Sequence, residues 1–373
     1  METTGREPAS PPALFLVAGL LGEAGRGGGS LPVGVDWHEM ITLAGDHLVL
    51  PAMAARLLEP DLARSLPPDI ARLAEAVLLL AAERDRSARA QLEELVAALN
   101  AAGIVPLLLK GAAYLAEALH EATTPRLASD LDLLIEPERI GLAAACLRRI
   151  GYGALEPGDG AGHHHLPALL RDGAPLAVEL HRAPVAARCR RLLGTAELRR
   201  DARAVRTESG SRCLLPSPTH LVLHSIVHAQ LPHGLYWRGE IFLRDALDLL
   251  LLERRFGQAI DWAAIGRRMG RHGMGGALWF HAVTAHALLG GPTPPVRPTW
   301  LGRRACRLWR RRLDDEARRD RLLEAVELAT SAPSALATPR GRAWLCRRLA
   351  ELLRRWPAAP REPAIPEGAP SPP

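Results

Sequence analysis

The sequence predicts an α+β protein, a mixed-sheet core flanked by N-terminal and C-terminal helical regions. Three observations carry this expectation. The first hundred residues, and most of the chain beyond 186, repeat apolar residues at three- and four-residue spacing, the period of a helix with one buried face. Residues 101–185 hold short apolar runs of strand length instead. Two of those runs flank Arg171-Asp172-Gly173-Ala174, and Asp-Gly favours a hairpin turn. The expected divisions are a helical region at 1–100, an α/β core at 101–185, a helical domain at 186–356 and a disordered tail at 357–373. Seven of the 17 tail residues are proline, too many for a packed element.

Taken in order, helices are expected over Pro12–Leu21, Pro51–Leu58, Ile70–Ala82 and Ser87–Ala102, the last stopped by Gly103. Ile104–Leu109 reads as a buried strand, with Pro106 placing its early part at a sheet edge because proline cannot donate to a ladder. Gly111–His120 reads as a helix, Glu121–Ser129 as a polar loop and Asp130–Ile135 as a second strand. Pro137 suits the start of a helix running to Ile150. The hairpin strands are His165–Leu170 and Leu176–His181. Helices follow over Thr219–Gln230, Ile241–Arg255, Trp262–Arg268 and Gly276–Leu289, with more in 300–355. No fixed-period repeat is present.

The chain has 373 residues, 48% of them hydrophobic, enough for a sizeable core and more than one domain. Its net charge of +6 does not imply a nucleic-acid partner: the basic residues are interspersed with Asp and Glu, and aromatics, only 4%, do not interleave with them. Cys146, Cys189, Cys213, Cys306 and Cys346 are scattered and form no Cys-x-x-Cys pair, which fits a reducing compartment and a cytoplasmic protein. The apolar stretch Pro12–Leu21 follows acidic Glu2 and Glu7 and reads as a helix start, not a signal peptide. Leu247–Leu252 is too short to span a membrane.

The residues that point to chemistry begin with Asp130-Leu131-Asp132. Two positions apart on a strand, the aspartates share a face. Burying two carboxylates together is costly, and a divalent cation removes the cost; the pair alone fits equally an aspartate facing solvent at the strand's open end. Glu179, in an otherwise apolar strand, offers a third carboxylate to hold metal or take a proton. His181 shares its face, where it reads as a partner of the carboxylates or as a structural histidine, with the structural reading slightly favoured. Lys110-Gly111 ends a strand and opens a helix, where backbone N–H groups and a cation can meet phosphate, or where the chain simply turns. Of 47 Lys plus Arg residues, Lys110 is the one lysine, a sign that its compact ammonium matters. Arg126, in the loop before the aspartates, is placed to bind a triphosphate or orient Asp130.

Other polar residues are less informative. His163, His164 and His165 cannot readily chelate one ion, because strand neighbours point to opposite faces. His224 and His228, four apart on a helix, fit a cleft lining or the core equally well; Ser225 stands where a zinc-protease motif needs Glu. Asp245 and Asp248, three apart on a helix, read as polar-face or capping residues, the alternative being contact with substrate.

These segments together resemble the uncharacterised nucleotidyltransferase family of the DNA polymerase β-like superfamily. The resemblance rests on Leu109-Lys110-Gly111-Ala112 at a strand-to-helix turn, and on Arg126-x-x-Ser129-Asp130-x-Asp132-x-Leu134, its most specific part. It continues through Gly151-Tyr152 and Glu179-Leu180-His181 and, more weakly, through His224, His228, Trp237, Arg238, Asp245 and Asp261-Trp262, covering about residues 35–290. The chain departs from the superfamily where Ala112 and Ala113 follow Gly111 in place of Gly or Ser, and where Glu179 replaces a more usual Asp. The resemblance implies metal-dependent transfer of a nucleoside monophosphate from a nucleoside triphosphate, with ATP the expected nucleotide, to a hydroxyl on a small-molecule or protein acceptor. Asp130, Asp132 and Glu179 would hold Mg²⁺ or Mn²⁺; Lys110, Gly111, Arg126 and Ser129 would contact the nucleotide. The alternatives are an inactive nucleotide-binding scaffold of the same fold, which the alanines after Gly111 favour, and a kinase-like phosphotransferase.

Overall fold

The computed structural model describes residues 13–22, 31–119, 125–154, 163–292 and 294–314. The chain divides after Trp309 into two compact units, and the first of them carries the sheet and the helices packed on it. The expected tail at 357–373 and the expected helices beyond 314 lie outside the described residues.

Among the described residues, five helices precede the sheet: α1 (Ala13–Leu21), α2 (Trp37–Asp46), α3 (Leu50–Leu57), α4 (Pro60–Ala63) and α5 (Pro68–Ala101). The Asp36 side chain accepts from the Glu39 N–H and caps α2, a helix the apolar spacing alone does not reveal. The two helices expected at 70–82 and 87–102 are one, the 34-residue α5. Nothing between Ala82 and Ser87 is a helix breaker; Glu83, Arg84, Asp85 and Arg86 are good or tolerable helix formers.

The seven-stranded sheet has the order β3-β4-β5-β2-β1-β7-β6. Its strands are β1 (Leu107–Leu109), β2 (Asp130–Leu134), β3 (Gly153–Ala154), β4 (Leu169–Leu170), β5 (Ala177–His181), β6 (Arg203–Arg206) and β7 (Arg212–Leu215). Between them lie α6 (Lys110–Ala116), α7 (Ile140–Arg149, after a 3₁₀ turn at Pro137–Arg139) and α8 (Thr195–Arg200). β1 is an interior strand, antiparallel to β2 and parallel to β7. All three of its leucines are fully buried, as a strand covered on both faces requires. Pro106 does not mark an edge: it precedes the strand and contributes its carbonyl, which accepts from the Leu214 N–H at 2.9 Å.

The β6–β7 hairpin corrects the expectation that the chain is helical from 186 onward. Its register runs from Arg203 opposite Leu215 to Arg206 opposite Arg212. The Asp-Gly hairpin is present, with Leu169 of β4 opposite Val178 of β5 and Gly173 at φ +77°. Beyond the sheet come α9 (Pro218–Gln230), α10 (Leu235–Arg238), α11 (Leu243–Phe256), α12 (Trp262–Arg271), α13 (Gly275–Leu289) and α14 (Trp300–Asp314). α9, α11 and α13 pack on one another, and α6 lies against β1, β2 and α9. No helix among the described residues is long and apolar enough to cross a membrane.

Candidate active site

β2 and β5 run parallel, with Asp132 opposite Glu179 and Leu134 opposite His181. Because residues two apart share a strand face, Asp130, Asp132, Glu179 and His181 project to one side. Potential ligand atoms of Asp132, Glu179 and His181 lie within 4.8 Å of one another. Asp130 stands outside that close set, at the start of β2 and half-buried. Glu179, distant in the sequence, is thus brought beside Asp132 by strand pairing, and His181 joins them.

Asp132 is fully buried. Its Oδ1 accepts from Lys110 Nζ at 2.6 Å and from His181 Nε2 at 2.7 Å, while its Oδ2 has no hydrogen-bond partner among the described residues. Burial opposes the Asp132 charge, but Lys110 and His181 outweigh it and hold the carboxyl far below its usual range. Burial likewise opposes the Lys110 charge, and Asp132 outweighs it, so the ammonium titrates above its ordinary value. Asp130 moves the other way: burial and then the neighbouring Asp132 carboxylate raise it. Glu179 is lowered by its hydrogen bond with His181, whose Nε2 lies 3.2 Å from Oε2. His181 itself is raised, burial being overcome by Asp132 and then Glu179. The expected structural histidine therefore binds both carboxylates.

Lys110 has φ +41°, unusual for a residue with a Cβ. It begins α6, which is seven residues long and ends well short of the expected His120. A Cβ added at Gly111 would lie 3.3 Å from an Arg126 guanidinium nitrogen. The glycine leaves room for Arg126, a reason for it that the sequence does not reveal. Arg126 Nε bonds both Asp248 oxygens, at 3.1 and 3.2 Å, and its guanidinium lies 5.3 Å from the Tyr114 ring centroid.

Lys110, Gly111, Arg126, Ser129 and Asp130 all line one cleft. The rest of the lining is helical: His224, Ser225 and His228 from α9, Arg244, Asp245 and Asp248 from α11, and Tyr114 of α6. Both histidines therefore line the cleft. Burial holds His224 down to about 3 and His228 well below its usual value, so both rings are neutral at pH 7. Asp245, raised by burial, has Arg244 3.4 Å away. Tyr114, Ser225 and Arg244 carry no local sequence pattern that marks them for the cleft. His164 lies edge-on to His181 and His165 tilted against it, at ring-centroid separations of 5.3 and 5.2 Å, and His165 forms an isolated bridge with it.

A second grouping, Glu197, Asp201 and His220, has Glu197 held by Arg268 and Asp201 by Arg200. It is satisfied as an ion-pair network.

Residues 34–290 match the model of a family described as uncharacterised nucleotidyltransferase, close to the span expected from the motifs. The chain belongs to the uncharacterised nucleotidyltransferase family. This nucleotidyltransferase is accordingly a transferase enzyme, and the matched span takes in the whole sheet and all the cleft residues. No curated protein matches it.

The donor set of this nucleotidyltransferase fits a hard divalent cation. Oxygen ligands predominate, and the buried, unpartnered Asp132 Oδ2 is an acceptor in want of a positive group.

Proposed function

We propose that the protein transfers a nucleoside monophosphate from a nucleoside triphosphate, ATP being the expected nucleotide, to an acceptor hydroxyl. The observation that carries this reading is the meeting of Asp132 and Glu179 across β2 and β5, with Asp130 on the same face and opening to the cleft. Asp130, Asp132 and Glu179 would hold Mg²⁺ or Mn²⁺. When bound, the metal neutralises and orients the triphosphate.

The chain's own residues supply the rest. Lys110 and Arg126 offer positive charge to the phosphates, and Gly111 and Ser129 border their path. Glu179, half-buried beside Asp132, is placed to take the acceptor proton as the acceptor oxygen bonds to the α-phosphorus and pyrophosphate leaves. His181 orients the Asp132 and Glu179 carboxylates. The acceptor expected is a small molecule or a protein side chain, and not nucleic acid. Four cysteines in the described residues are free thiols, in keeping with a cytoplasmic setting.

Two measurements test this reading. Calorimetry with nucleoside triphosphate and Mg²⁺ should show weaker metal-dependent binding in Asp130→Asn and in Asp132→Asn; unchanged binding in both would remove the metal site. Incubation with α-labelled and γ-labelled ATP and candidate acceptors should transfer label from the α position alone. Transfer from the γ position would instead make the protein a phosphotransferase, and binding without transfer would make it a nucleotide-binding scaffold.

A further inference from the structure

The cations lining the cleft are already engaged. Arg126 lies on Asp248, Arg244 beside Asp245, and Lys110 on Asp132. The third pairing differs from the others, because Asp132 belongs to the carboxylate set that fits a metal. Lys110 Nζ lies 2.6 Å from Asp132 Oδ1 and so already neutralises part of that set. Among the described residues, no other lysine or arginine forms an ion pair with Asp130, Asp132 or Glu179.

We propose that Lys110 is a resident counter-ion that moves from Asp132 to a nucleotide phosphate when the metal–nucleotide complex binds, so that metal binding at Asp132 depends on the nucleotide. This rests on the reading of Asp130, Asp132 and Glu179 as the metal site. The physical case has three parts. A buried ammonium parted from its carboxylate is strongly disfavoured unless another anion receives it. Mg²⁺ dehydrates reluctantly, and arriving alone it offers Lys110 no such anion; a triphosphate brings one. Lys110 also lines the cleft, so its side chain has a phosphate-bearing space to enter without refolding of the sheet. Its left-handed backbone, φ +41°, is a conformation that surroundings must enforce. That conformation belongs to the residue joining β1 to α6, between the carboxylates and the cleft lining.

The composition makes the test direct. Lys110 is the sole lysine of the chain, so protein grown on lysine labelled with ¹³C at the ε-carbon yields one lysine side-chain NMR signal. In wild-type protein, Mg²⁺ alone should leave that signal in place, and Mg²⁺ with a non-hydrolysable α,β-methylene ATP analogue should shift it. An equal shift with Mg²⁺ alone, or no shift with either, would overturn the proposal.

Calorimetry with Mn²⁺ alone gives a second readout. Lys110→Met, with the charge removed and similar length kept, should bind Mn²⁺ at least several-fold more tightly than wild type, and Asp132→Asn in that background should abolish the gain. Affinity unchanged or lowered in a folded Lys110→Met protein, with Asp132→Asn still weakening Mn²⁺ binding to the wild type, defeats the counter-ion role and leaves the metal site standing. Indifference of Mn²⁺ binding to Asp132→Asn in both backgrounds overturns the metal site and, with it, this proposal.

Discussion

Lysine and arginine differ in how readily they release a carboxylate. An ammonium is one compact charge with rotatable donors, whereas a guanidinium can grip both oxygens in a fixed fork. Lys110 holds only Oδ1 of Asp132. Lys110→Arg is therefore expected to fold normally but to bind nucleoside triphosphate at least several-fold more weakly, on the order of 1 kcal/mol or more for a lost charge-assisted hydrogen bond. Titrations under identical Mg²⁺, with circular dichroism as the folding control, decide it; equal affinities would reduce Lys110 to a fixed partner of Asp132. At this scale the sequence is informative where chemistry follows a local period. Strand alternation puts Asp130 with Asp132 and Glu179 with His181. It cannot say that His181 reaches the carboxylates, although a shared face with Glu179 is the available signal. The Arg126–Asp248 pair is illegible, since its partners lie 122 residues apart and on different kinds of element.

Elements are held to one another by a few buried polar contacts. Gln91 of α5 is buried, and its side-chain amide both donates to the Leu176 carbonyl at 2.8 Å and accepts from the Leu176 N–H at 3.2 Å. It ties the long helix to the residue just before β5, the strand that carries Glu179. Gln91→Met keeps the volume but orphans two backbone groups, which costs about 1–3 kcal/mol for each group left buried and unpaired. Urea unfolding should register a loss in this range or somewhat above it; a loss below about 0.5 kcal/mol would mean that water replaces the amide. Element boundaries are the least legible feature of the sequence, for identifiable reasons. The charged run at 83–86 looks like a break in the apolar pattern, but contains neither Gly nor Pro, so α5 continues through it. The β6–β7 hairpin is hidden by arginines at the ends of β6. That strand lies at the sheet edge with its arginines partly or fully exposed, and Glu208-Ser209-Gly210 is the turn signal. Asp36 and Glu39, at capping spacing, are the signal that marks the start of α2.

Across the whole molecule, pH should act through a pair that is not part of the cleft lining. His286 of α13 lies with Nε2 2.9 Å from Glu253 of α11, and its Nδ1 is 3.1 Å from the Gly290 carbonyl. Burial disfavours the imidazolium, but Glu253 outweighs burial and raises the group above its ordinary 6.5. A raised folded-state value means stabilisation that is fully present below the unfolded value and lost as pH climbs through the folded one. The melting temperature of wild type relative to His286→Gln should thus be highest near pH 5.5 and decline above pH 6.5; a flat or rising difference would exclude this linkage. The α+β class is legible at this scale because helical and strand periods occupy separate stretches. The sheet order is not, because β1 pairs with β7 from more than a hundred residues away, Leu107 opposite Leu214. That pairing has a consequence for synthesis. At about 5–20 residues per second, the ribosome delivers β7 roughly 5–20 s after β1. Throughout that interval three consecutive leucines present an uncovered strand edge, the kind of surface on which nascent chains aggregate, so the yield of this protein in cells should depend on chaperones that shield β1 until its last neighbour emerges.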